Sequence, residues 1–281
     1  MKNKINQLFF TILFISFTSI AQAQQIKSPG VNAQLFLGEG KRQPLIVGLG
    51  GSEGGNAWAS DYWKKIRDQF IEKGYAFLAI GYFASEGAPD TLNKIELENV
   101  HAVIVKAQQN LLVNAQRTAI IGGSRGGDLA LLLGSYYKDI KCVISVVGSH
   151  VAFPGHTNHF STSAWSFKGK ELPFVPVNEE SVPALMKGDL RATFQTMLKD
   201  SLAEQRAIIK VEKINGPVFL LSATKDEICP SQQMADKMMQ RLSAKQFSAN
   251  YQHIAIEGGH AEPLKHFDLV FDFLEKNFPP L

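Results

Sequence analysis

The sequence predicts an α/β chain, with a mostly parallel sheet covered by helices on both faces. Three observations carry this. Short continuous apolar runs, such as Leu45–Val47, alternate with amphipathic stretches of helical period, the pattern of strands buried on both sides. One run, ending at Gly122, passes directly into a helical pattern with Leu129, Leu132, Leu133 and Tyr136 at i, i+3, i+4 and i+7. The 281 residues contain no repeats or low-complexity tracts and suffice for one large domain with a full core.

The chain begins with the pattern of a cleavable export signal over residues 1–23. Lys2 and Lys4 form a basic start, Leu8 to Ile20 an apolar stretch, and Ala21-Gln22-Ala23 an A-x-A site. The apolar stretch is short for a bilayer span and no stop-transfer pattern follows, so export to the periplasm or outside is expected, without a stable membrane anchor. Removing the segment takes away two lysines and no acid, which lowers the net charge from +3 to +1. So even a balance gives no reason to expect nucleic acid as a partner.

The remaining residues, 24–281, read as one domain. Asn32–Leu37 is a candidate edge strand, and Pro44–Gly48 the first buried one. A glycine-rich loop follows, Gly48–Gly55, then a helix with Ala59, Trp63, Ile66 and Phe70 on one face and Gly74 as its stop. Next come a strand at Tyr75–Ile80, a loop with Tyr82 and Phe83, and a helix from about Leu92 to Val113. Strands are further expected at Cys142–Val147, Pro217–Ala223 and Tyr251–Ile256, with helices at Ser231–Leu242 and along Leu264, Phe267, Phe271 and Leu274. Residues 151–215 break the rhythm, apart from a helix near Leu190–Gln205. An insertion of this length reads as a cap over a site. Its irregularly spaced aromatics, Phe153, Phe160, Trp165, Phe167 and Phe174, are expected to face that site. Cys142 starts one parallel strand and Cys229 lies past the end of another, too far apart for a disulfide, so two free thiols are expected.

Chemistry enters at Gly122-x-Ser124-x-Gly126. Between a strand and a helix this pattern is a nucleophile elbow, in which a strained serine projects above the sheet at a helix N-terminus. Gly50-x-Ser52-x-Gly54 satisfies the same spacing, but a polar stretch follows it. Its position after an earlier strand suits the loop that supplies the second N–H of an oxyanion hole. Ser124 is therefore the candidate nucleophile, with Arg125 N–H and a backbone N–H at Ser52, give or take a residue, as the hole. A phosphate-binding loop is disfavoured: Glu53 stands where the third glycine of G-x-G-x-x-G would fall, and no G-K-[ST] occurs. The α/β-hydrolase order Ser, Asp/Glu, His then selects Asp226, closing one strand, and His260, after the next. Asp226 would fix the imidazole tautomer that deprotonates Ser124. Glu227 is the close competitor for the acid. His156 and His159 lack a third ligand at zinc-like spacing, so no metal is expected. Gly51, Glu53, Phe83, His150 and Trp165 are the candidate pocket residues.

With these residues the chain resembles the C-terminal catalytic domain of the acyl-CoA thioester hydrolases and bile acid-CoA:amino acid N-acyltransferases. The resemblance runs from about Pro44 to the end. It is carried by the glycine-rich loop, Gly81–Phe83, Ile121–Ala130, Val147–His150, Val211–Pro217, Asp226 with Cys229–Ser231, and Gly258–His260. Dienelactone hydrolase-like esterases are a more distant fit. The resemblance implies a triad of Ser124, Asp226 and His260, no cofactor, and an acyl ester or thioester as substrate. A serine where the amino-acid acyltransferases use cysteine favours water as acceptor. Acyl transfer to an amine and a silent binding protein of the same fold are the alternatives.

Overall fold

The computed structural model describes residues 22–280. The expected export signal lies outside the described residues except at its end, where Gln22 and Ala23 belong to the first strand. In chain order the elements are β1 (Gln22–Gln25), β2 (Asn32–Leu37), β3 (Gln43–Leu49), α1 (Asp61–Glu72), β4 (Ala76–Gly81), β5 (Ile95–Glu96), α2 (Leu97–Gln108), β6 (Val113–Gly123), α3 (Arg125–Tyr136) and β7 (Ile140–Val146). Then follow β8 (Trp165–Phe167), β9 (Lys170–Glu171), α4 (Val182–Met186), α5 (Leu190–Met197), α6 (Ser201–Ala207), β10 (Val218–Ala223), α7 (Ser231–Ala244), β11 (Tyr251–Ile256) and α8 (Phe267–Asn277).

Eight strands form the main sheet in the order β1-β2-β4-β3-β6-β7-β10-β11. β1 and β2 run antiparallel to their neighbours, and the strands from β4 to β11 pair in parallel. Alternation along each strand feeds two cores. Leu45, Val47 and Leu49 of β3 join Leu129 and Leu133 of α3 and Val100 and Ile104 of α2 on one face. Ile46 joins Phe70 of α1 and Val270 and Phe271 of α8 on the other. Both faces are apolar, hence the uninterrupted apolar runs. The parallel strands all end on one rim, and the crevice beyond that rim is where such sheets bind ligands.

Four expectations need correcting. β2 is not the edge, because the polar stretch Gln22–Gln25 pairs outside it with no hydrophobic pattern to announce it. The helix expected from Leu92 starts at Leu97, since Ile95 and Glu96 extend to pair with Trp165 and Ser166 of β8. It ends at Gln108, and Val113 opens the long strand β6. The helix expected over 190–205 is two, because Asp200 caps a fresh start by accepting from the N–H groups of Leu202 and Ala203. Cys142 and Cys229 are both free.

Residues 151–215 lie over the rim as β8, β9, α4, α5 and α6. They are tied to the body by the β5–β8 rungs, by Lys94 N–H and Ile95 N–H donating to Ser163 O and Ala164 O, and by Ile209 N–H donating to His150 O.

Candidate active site

β6 turns into α3 within one residue, and glycines make this possible. A Cβ on Gly122 would lie 1.9 Å from Gly126 O, and one on Gly126 would lie 2.3 Å from Gly50 O. Ser124 takes up the strain at φ 52° and ψ −120°, a conformation L-residues rarely adopt. Its N–H donates to Val146 O at 2.8 Å, which pins the turn to β7, and its carbonyl accepts from Gly127 N–H at 2.9 Å. The hydroxyl stands at the N-terminal end of α3, whose dipole favours negative charge there.

Across the cavity, His260 Nδ1 lies 2.9 Å from both oxygens of Asp226. Asp226 is fully buried just past β10, and its Oδ1 also accepts from Ile228 N–H and Cys229 N–H at 3.0 Å. Burial alone would raise the Asp226 carboxyl; the hydrogen bonds from His260, Ser231 and Cys229 outweigh it and hold the pKa below the ordinary value. The competitor Glu227 instead accepts from His260 N–H at 2.9 Å, so it braces the backbone of the histidine and leaves the imidazole to Asp226. Gly258, at φ 144°, lets the chain fold back after β11 to bring His260 over the rim. Ser124 and His260 line the same cavity, with no hydrogen bond between Oγ and Nε2, a gap common before substrate binds.

The glycine-rich loop after β3 runs beside the nucleophile. A Cβ on Gly51 would sit 3.2 Å from both Gly123 O and Ser124 Cβ. Gly51 is thus the loop residue whose backbone abuts Ser124, one position before the expected Ser52, which is exposed at the cavity mouth. Gly51 N–H donates to Glu53 Oε1 at 2.9 Å. Tyr82, buried under the loop, donates to Gly50 O at 2.7 Å; burial raises its pKa well above the ordinary value, so it remains a phenol donor.

Behind the elbow, Arg125 reaches Pro154 O of the cap at 2.6 Å and stands 3.5 Å from Asp128. Asp128 Oδ1 accepts from Ser149 N–H at 2.6 Å, and burial pushes its carboxyl up to about 6 despite the guanidinium beside it. Asp128 is not among the site residues expected from the sequence, where an acid one turn into an otherwise apolar helix is its signal. Among the described residues, Asp226, Cys229 and His260 are the one group whose ligand atoms lie close enough to share an ion, within 4.8 Å. Asp226 and His260 are already bonded to each other, and burial raises the Cys229 thiol well above its ordinary value, which disfavours the thiolate a metal needs.

The cavity has a volume of about 510 Å³. Gly51, Glu53, Phe153 and Phe160 line it, as expected residues, together with Phe194 and Met197 of α5. Leu190, Thr193, Phe194 and Met197 fall at i, i+3, i+4 and i+7, a helical face not among the expected pocket residues. Phe83, His150 and Trp165 are not in the cavity wall. Phe83 packs beneath the glycine loop, where a Cβ on Gly54 would touch it at 2.9 Å. His150 turns away to Glu204 Oε1 at 2.6 Å, and burial lowers its pKa. Trp165 is fully buried in β8, its ring 5.9 Å from that of Tyr82. Phe167 packs on Tyr136 with centroids 4.5 Å apart, and Phe174 packs on the main core. The short strand β8 thus takes up Trp165 and Phe167, and the main core takes up Phe174, away from the cavity.

The family described as BAAT / acyl-CoA thioester hydrolase C terminal matches residues 102–263. Mitochondrial acyl-coenzyme A thioesterase 2 of Homo sapiens is 28% identical over 174 residues, covering 61% of this chain and 34% of the relative. Acyl-coenzyme A thioesterase 1 of Homo sapiens is 26% identical, covering 79% of this chain and 49% of the relative. Acyl-coenzyme A amino acid N-acyltransferase 1 of Mus musculus is 23% identical over a like span, 78% and 49%. The chain therefore spans half or less of the length of these relatives. Among solved structures, an esterase of Pyrococcus furiosus aligns with TM-score 0.62 at 14% identity over 92% of this chain and 93% of that one. An acylaminoacyl peptidase of Pyrococcus horikoshii aligns with TM-score 0.63 at 15% identity, covering 91% and 41%. At such identities the structural likeness speaks for the fold alone.

Proposed function

The chain belongs to the BAAT / acyl-CoA thioester hydrolase C-terminal family, and from that premise we propose that it is a serine hydrolase of acyl esters or thioesters, acyl-CoA among them. The observation that carries the reading is the bonded pair Asp226–His260 facing, across one largely apolar cavity, a serine held in the strained turn of an elbow.

In this reading Ser124 Oγ attacks the acyl carbon while its proton passes to His260 Nε2. Asp226 holds Nδ1 and stabilises the imidazolium that forms. The carbonyl oxygen gathers charge between Arg125 N–H and Gly51 N–H, once Glu53 has given up the latter. The C–S or C–O bond breaks, and His260 returns the proton to the leaving group. A water then attacks the acyl-enzyme, losing its proton to His260, and Ser124 is regenerated. The apolar wall from Phe153, Phe194 and Met197 suits the acyl chain. The export signal expected from the sequence adds the proposal that this chemistry takes place outside the cytoplasm.

The test is product analysis with an acyl-CoA and with p-nitrophenyl esters of graded chain length, each with and without glycine or taurine. Free acid in all cases is the expected product. An acyl amide would replace hydrolysis with transfer, and no turnover of any substrate would sink the enzymatic reading.

A further inference from the structure

A second cavity, of about 460 Å³, opens between the C-terminal end of α3 and the underside of the cap. It shares no residue with the catalytic cavity. Ser124 and Tyr136 stand at opposite ends of the twelve-residue helix α3, roughly 18 Å apart along its axis.

The lining has an unusual charge balance. Lys138, Arg206, Lys210 and Lys213 all border it, and no acidic residue does. None of the four cations has a carboxylate partner among the described residues; Lys138 donates to Lys213 O, and Arg206 Nε donates to Leu202 O at 3.3 Å. Elsewhere the exposed lysines of this chain are often paired, as in Lys94–Glu171, Lys225–Glu257 and Lys265–Glu262. Four unneutralised cations around one concavity raise the local potential and favour an anion there. Apart from Ser135, the rest of the wall is apolar and aromatic, with Phe167 packed on the half-exposed Tyr136 and with Leu172 and Ile208 also in the lining. A simple surface anion site would have no such wall.

We propose that this cavity is a second ligand site, for an amphiphilic anion whose carboxylate or phosphate lies among Lys138, Arg206, Lys210 and Lys213 and whose apolar or aromatic body lies against Tyr136 and Phe167. Two sources supply that chemistry, a fatty carboxylate and a phosphorylated nucleotide, and both are probed.

Titration calorimetry of the full protein with dodecanoate, adenosine 3′,5′-bisphosphate and inorganic pyrophosphate is the test. At least one of the two amphiphiles should bind, more tightly than pyrophosphate, and which one binds names the source. The double variant Lys210→Ala/Lys213→Ala should weaken that binding on the order of tenfold or more, from the loss of charge-assisted hydrogen bonds. Arg206→Ala, on a different element, should weaken it separately. Prior modification of Ser124 with a fluorophosphonate should leave it unchanged. The proposal is overturned if neither amphiphile binds or if pyrophosphate binds as tightly. Equal affinity in all three proteins, or loss of binding once Ser124 is blocked, overturns it too.

Discussion

Glu53 turns back on its own loop and accepts the Gly51 N–H at 2.9 Å, beside Ser124. In the proposed mechanism a carboxylate there competes with the substrate's developing oxyanion for that donor. Glu53→Ala should therefore free the donor and speed fluorophosphonate labelling and short-ester hydrolysis by roughly tenfold to a hundredfold, the worth of one hydrogen bond to a charged group. Glu53→Gln, which keeps the acceptor without the charge, should fall between. Slower labelling of both variants would mean that Glu53 assists the nucleophile.

Removing the nucleophile should be far more costly. Ser124→Ala is expected to lower turnover on the order of 10⁶ and to abolish fluorophosphonate labelling, as loss of a triad nucleophile does. Ser52→Ala should still label. The reverse pattern would exchange the roles of the two serines.

Trp165 and Phe194 should separate stability from specificity. Trp165 is fully buried in β8, so Trp165→Ala should cost about 3–5 kcal/mol of stability and reduce turnover of every acyl length alike. Phe194 lines the catalytic cavity from α5, so Phe194→Ala should shift the preference among acyl chain lengths while the melting temperature changes less. A chain-length effect at Trp165 and none at Phe194 would contradict the placement of the cavity wall.

Asp128 should leave a mark on the pH dependence of stability. Burial lifts its pKa from 3.8 to about 6 in the native chain, which therefore binds the proton more tightly than the unfolded chain does. Its contribution to stability is full below about pH 4 and is lost as pH rises through 6, by on the order of 3 kcal/mol. Asp128→Asn should remove that fall, so urea midpoints of variant and wild type should converge at low pH and diverge, in the variant's favour, above pH 6. Parallel curves would assign the slope to other groups.

The sheet and the elbow were readable because their physics is local. A strand buried on both faces must be apolar throughout, and a turn as sharp as that at Ser124 must have glycine at 122 and 126. Chain order then pointed to Asp226 and His260, which the fold brings together. The misreadings concern residues whose setting depends on distant partners. Ile95 leaves the helical pattern only because Trp165 offers a strand to pair with. Trp165 and Phe167 look no different in sequence from Phe153, yet they bury against α2 and α3 instead of the cavity. β1 is polar and is held by ladder bonds that leave no hydrophobic trace.

The β5–β8 rungs and the Arg125–Pro154 bond stitch the two ends of the cap's first half to the body, and the pairing of His150 O with Ile209 N–H stitches its far end. A cap fastened in this way does not swing as one hinged plate. The stretch left over is α4, which buries none of its residues and leaves Met186 81% exposed, while the start of α5 is held to the body by Arg191 Nη1 donating to Asp226 O. Opening that single short helix would expose Leu185 of the cavity wall while disturbing few buried contacts. Under the proposed function, admission of the acyl chain and the pace at which product leaves would then fall to a doorway of about one helical turn.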